Sequence, residues 1–145
     1  SRNVEIKPVV KRLACLTKEK ENESYDKLPE EIAKMKGKIH RKGERASVLM
    51  QKGYKQLRKF TWESVVQEMI TLCPTLTSLL AKMMCSDADI KSDEQYIQNL
   101  NDLLPKLGTV YGIIMKEQNH ELSLIQRVVG CCLADHVCDQ KVYEF

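Results

Sequence analysis

Apolar residues recur along this chain at intervals of three and four, the spacing of one face of an α-helix, and no alternating β-branched run competes with that pattern. Val9, Val10, Leu13 and Leu16 form a first short stripe, and Pro8 suits the opening turn of its helix. The polar run TKEKENESYDK that follows reads as a linker or a frayed helix end. Pro29 with Glu30 and Glu31 marks a second start, because proline tolerates the first helical position and acid favours the positive end of the helix dipole. Ile32, Met35 and Ile39 continue it. Gly37, Gly43 and Gly53 each weaken a helix by roughly 1 kcal/mol relative to Ala, so the spacing predicts two helices with a break near Gly43 rather than one rod. The second of these carries Ala46, Leu49, Met50, Leu57 and Phe60 on its apolar side.

The clearest element begins at FTWESVVQEMITLCPT. Thr61 is a good N-cap, Glu63 lies in the first turn, and Trp62, Val65, Val66, Met69, Ile70 and Cys73 fall on one face. Pro74 stops that helix and opens the next, where Leu76, Leu79, Leu80, Met83 and Met84 continue the stripe around a sharp corner. CSDADIKSD is a polar loop. Ser92 and Gln95 form a capping-box pair ahead of Tyr96, Ile97, Leu100, Leu103 and Leu104. Pro105 is expected to kink or end that helix, and Leu107, Val110, Tyr111, Ile114 and Met115 resume beyond it. After a turn at KEQNHE, Leu122, Leu124, Ile125, Val128, Val129 and Leu133 make the most apolar helix, expected to be the most buried. DHVCDQKVYEF begins a further one.

The fold class is therefore all-α: an irregular bundle of about six to eight short helices with proline-marked corners, preceded by a basic amino-terminal helical arm. Residues 1–27 read as an amino-terminal helix and polar linker. Residues 28–145 read as a helical domain with a basic segment at 34–59 and a helical core at 61–145, expected to be cut short at its carboxy end. The expected core is Trp62, Val66, Met69, Leu76, Leu80, Leu100, Leu104, Ile114, Ile125, Val129 and Leu133. No apolar run approaches the ~20 residues that span a bilayer, so no membrane partner is expected.

Charge changes the picture more than composition does. The net +3 divides into 17 Lys/Arg against 8 Asp/Glu in residues 1–60 and 6 against 12 in residues 61–145. Lys34–Lys59 holds ten cations and one acid, Glu44. Lys34, Lys38, Arg41, Lys42 and Arg45 share one helical face, and Lys52, Lys55, Arg58 and Lys59 share the next. Such stripes displace counterions from a phosphate backbone, and they are equally the solvated side of an amphipathic helix.

Other candidate chemistry is thinner. The six Cys are irregularly spaced in a chain large enough to fold without staples, which favours reduced thiols in an intracellular setting, nuclear or cytoplasmic. Cys131, Cys132, His136 and Cys138 crowd together but lack the second ligand pair of a zinc site, with His40 and His120 remote. The loop from Asp87 starts like a calcium loop, then fails at Lys91, Ser92 and Gln98. No nucleophile elbow or phosphate-binding loop is present. No enzyme, cofactor, metal or small-molecule substrate is expected. The chain reads first as a non-catalytic module binding DNA or RNA backbone, and alternatively as a protein–protein or self-association module.

GYKQLRKFTWESVVQEMITLCPTLTSLLAKMM resembles a segment of uncharacterised animal proteins that look derived from mobile elements. Phe60, Trp62, Glu68, Pro74, Thr75, Leu76 and Leu80 carry the match, and Leu122, Gln126 and Arg127 carry a second one in ELSLIQRVVG. The resemblance spans residues 45–145. It implies a longer parent protein with this chain as its amino-terminal helical part, and a nuclear or DNA-related role by analogy.

Overall fold

The structure, a computed structural model, describes residues 6–19, 25–38, 47–50, 53–85 and 92–143. Its helices are α1 (Pro8–Glu19), α2 (Leu28–Lys38), α3 (Tyr54–Arg58), α4 (Trp62–Leu72), α5 (Pro74–Met84), α6 (Asp93–Gln118) and α7 (Leu124–Tyr143), with 3-10 turns at Tyr25–Lys27 and Val48–Met50. No strand occurs among the described residues, and the all-α bundle is as expected. Among the described residues no helix is long and apolar enough to cross a membrane.

Helix ends follow the local chemistry. Pro8 occupies the first turn of α1, where the Lys7 carbonyl accepts from Val10 N (3.0 Å) and Lys11 N (3.2 Å). Thr61 Oγ1 caps α4 by accepting from Ser64 N at 3.3 Å, and Ser92 Oγ caps α6 by accepting from Gln95 N at 3.2 Å. The predicted corner is there: Cys73 alone separates α4 from α5, and Pro74 opens α5.

The long α6 is the axis of the bundle, with α1, α4, α5 and α7 packed on it. Leu100, Leu104, Leu107, Tyr111 and Met115 line its buried side and meet Val65, Val66 and Met69 of α4. Val9, Val10, Leu13 and Leu16 of α1 enter the same core, as do Met35 of α2 and Leu49. Two glycines on α6 set the closest approaches. A Cβ on Gly108 would stand 2.6 Å from the Trp62 ring, and one on Gly112 would overlap Ile125 of α7. Bare backbone at these two positions lets α4 and α7 press onto α6. Phe60 meets Trp62 edge to face, with ring centroids 4.8 Å apart.

Two expectations need correction and a third is narrowed. Of the two outcomes expected at Pro105, a kink or an end, the end does not occur; α6 runs through it for 26 residues. Pro105 lies on the exposed side of α6, so the lost hydrogen bond faces away from the core. The last apolar stripe and DHVCDQKVYEF are not two helices, because α7 continues unbroken to Tyr143. Among its described side chains, the helix expected to be most buried is fully buried only at Leu124 and Ile125, with Val128 partly so: Val129 is 40% exposed and Leu133 59%. Of the remaining expected core, Val66, Met69, Leu100, Leu104 and Ile125 are buried, and Trp62, Leu76, Leu80 and Ile114 pack partly buried against them.

Candidate functional site

Of the predicted basic residues, four have described side chains. Lys34 sits 3.3 Å from Glu30 one turn earlier on α2, both exposed, so part of its charge is answered on its own helix. Lys55 and Arg58 on α3 and the following Lys59 are exposed, while Leu57 between them turns toward the core. Arg41, Lys42, Arg45 and Lys52, and the side chain of Lys38, lie outside the described residues, as do the expected break at Gly43 and the Asp87–Lys91 stretch of the acidic loop.

Of the cysteine–histidine cluster weighed in the sequence and not expected to bind metal, two side chains are described. Cys131 and Cys132 are exposed free thiols, and the side chains of His136 and Cys138 lie outside the described residues. No group of three or more metal-ligating side chains converges among the described residues.

Sequence spacing gave no hint of a polar network that fastens the amino-terminal half to the bundle. Glu68 on α4 accepts from Ser47 Oγ (2.7 Å), Val48 N (3.0 Å) and Tyr111 Oη (2.6 Å). Tyr111 is fully buried, and burial, reinforced by the Glu68 charge, holds its hydroxyl protonated far above the ordinary tyrosine range. Glu31 on α2 does a matching job at α5. Its carboxylate accepts from Thr75 N (2.8 Å) and Leu76 N (3.2 Å), filling the capping role that Cys73 leaves open. Burial pushes the Cys73 thiol up to about 12, with Glu31 and Glu68 adding to the shift. The available signal was position: Glu68 borders the apolar stripe of α4.

The most distinctive surface lies on α7. Its first turn is held firmly: Leu124 and Ile125 are buried, and Gln126 Nε2 donates to the Gly112 carbonyl at 3.3 Å. From Val129 to Asp135, seven consecutive residues are all exposed. A helix lying on a bundle buries one face every three or four residues, so continuous exposure over about two turns means that no side of this segment is covered. A Cβ built on Gly130 meets nothing within 4 Å. Val129, Cys132 and Leu133 stand at i, i+3 and i+4 on this projection.

A second apolar surface occupies the other side of α6. Met84 of α5 and Pro105, Thr109 and Val110 of α6 line an open groove of about 540 Å³, with Lys106 in its wall. Ile113 (53% exposed) lies one turn beyond Thr109 on the same side of α6.

Comparison of the chain with protein families, curated proteins and solved structures gives no match.

Proposed function

We propose that this chain is a non-catalytic helical association module whose contact element is the exposed stretch 129–135 of α7. The observation that supports this most is the uninterrupted exposure of Val129–Asp135 on a helix whose own first turn is locked into the core. Apolar side chains held clear of the bundle gain most by meeting another protein surface. Exposed Cys15, Cys131 and Cys132 suit a reducing intracellular compartment, nuclear or cytoplasmic.

The test is amide hydrogen exchange on dilute protein. Residues 129–135 are expected to exchange fast, since a helix without tertiary cover is marginal in water, and to slow when a partner covers them. Slow exchange in the dilute protein would overturn the reading, because the segment would then be covered within one copy.

A second reading has its own support. From Ser47 to Trp62 there is no acidic residue, and Lys55, Arg58 and Lys59 are exposed. A phosphate backbone of DNA or RNA would suit them. Three such contacts give a log–log salt slope of about −3, shallower than that of a strongly held duplex. Mobility shift of unrelated duplexes at two salt concentrations checks it; no binding at low salt, or salt-independent binding, would end it.

A further inference from the structure

Cys131 and Cys132 are neighbours in sequence, both are exposed free thiols, and both lie inside α7. They are adjacent but not bonded. Consecutive side chains leave a helix about 100° apart, and thiols whose Cβ directions diverge cannot be bridged without backbone movement. The helix therefore keeps the two sulfurs apart, and a bond between them requires it to open at that point. Opening disturbs little there. The surrounding residues 129–135 are all exposed, and Gly130, directly before the pair, is a poor helix residue with open space where a Cβ would stand.

We infer that Cys131 and Cys132 are a redox-modification site: a small-molecule disulfide of the glutathione class converts them to one Cys131–Cys132 disulfide, and that bond breaks α7 at the pair. One cysteine thiolate attacks a sulfur of the small disulfide, forming a mixed disulfide and expelling one thiolate. The neighbouring cysteine thiolate then attacks the protein sulfur of the mixed disulfide, closing the new S–S bond and expelling the second thiolate. Each expelled thiolate takes up one of the two protons that the cysteines lost. Two protein thiols are oxidised, and one small disulfide is reduced to two thiols. Cys15 is the contrast within the same chain. It is exposed too, but it has no neighbouring thiol in sequence and sits on α1, which Leu13 and Leu16 hold to the core. Because the internal bond needs an open helix, whatever steadies this part of α7 favours the reduced pair. The inference needs one copy and two accessible thiols, so it stands apart from the association reading.

The test equilibrates the full chain, dilute, in a series of reduced and oxidised glutathione mixtures, with peptide mapping by mass spectrometry and far-UV circular dichroism at each step. The peptide holding Cys131 and Cys132 is expected to lose two hydrogens, and helix signal to fall in step with it, while Cys15 takes up glutathione as a mixed disulfide. Cys132→Ser is expected to abolish the internal bond and the loss of helix, leaving a mixed disulfide on Cys131. Gly130→Ala, which favours the helix, is expected to shift the equilibrium with glutathione about fourfold toward the reduced pair. A mixed disulfide that persists on the wild-type pair, or a bond from either cysteine to any other, would overturn the site. An internal bond with helix signal unchanged, or an equilibrium that Gly130→Ala does not move, would overturn its coupling to α7.

Discussion

The first turn of α7 and the two turns after it carry similar side chains and meet opposite fates. Leu124 and Ile125 are almost completely buried, whereas Val129 and Leu133, one and two turns on, are exposed. The difference lies in α6. Gly112 offers bare backbone where Ile125 descends, and nothing comparable stands beside Gly130. Apolar periodicity therefore reports that a helix has a side to bury. Whether that side is buried depends on a neighbour the same sequence must supply elsewhere.

The largest expected contrast is truncation. Ile125→Ala should cost about 2–5 kcal/mol in urea unfolding, as a core deletion does. Leu133→Ala should stay within about 0.5 kcal/mol in dilute protein. Equal losses would mean that both positions are packed within one copy.

Next comes the same substitution at two glycines with opposite signs. Gly112→Ala forces a methyl into Ile125 and is expected to destabilise by about 1–3 kcal/mol. Gly130→Ala meets open space and is expected to stabilise by about 0.5–1 kcal/mol through helix propensity. Thermal melts of the two variants at low concentration decide it.

A smaller effect separates the thiols. Cys131 and Cys132 should react with an alkylating reagent in the folded chain, while buried Cys73, its thiol held neutral to about 12, should react only on unfolding. The sign for stability follows from the protons bound. Above the ordinary thiol value of 9.0 the unfolded chain loses a proton that the folded chain keeps, so stability is full below that pH and falls as pH rises toward about 12. Alkaline urea titrations of wild type and Cys73→Ala should diverge in that window.

Smallest is the surface pair of Lys7 and Glu63, which ties the start of α1 to α4. The Lys7 ammonium lowers the Glu63 carboxyl below its ordinary value, so its contribution is present above pH 4.5 and is lost as pH falls through the lowered value. Both side chains are substantially exposed, and Lys7→Ala is expected to cost no more than about 1 kcal/mol, less at high salt.

Much of the fold was legible in the sequence because it rests on short-range signals. Thr61, Pro74 and Ser92 announce helix starts within a few residues, and the stripe from Val65 to Ile70 names its own buried face. What stayed hidden depends on residues far apart in the chain. Nothing near Val129 or Leu133 indicates that no helix lies opposite them. Nothing near Gly108 or Gly112 indicates that Trp62 and Ile125 will press there. Glu31 looked like a first-turn acid for its own helix, and it serves the start of α5 instead. Pro105 misled because its effect depends on which side of α6 it occupies. The basic stretch was legible as charge, but Arg41, Lys42, Arg45 and Lys52 lie outside the described residues.

The Glu31 contact has a consequence for the order in which the molecule assembles. Its partners lie 44 and 45 positions further along the chain, and Glu68 reaches back 21 and 20 to Ser47 and Val48. The Glu31 clasp cannot close until the corner at Cys73 exists and α5 presents its first amides, and the Glu68 clasp cannot close until α4 has formed. Helices α4, α5 and α6, consecutive and mutually packed, can condense first at small loop-closure cost. Helix α2 and the Val48–Met50 turn then zip on last. By the same logic they are the first parts to open under mild denaturant, a detachable collar on the bundle.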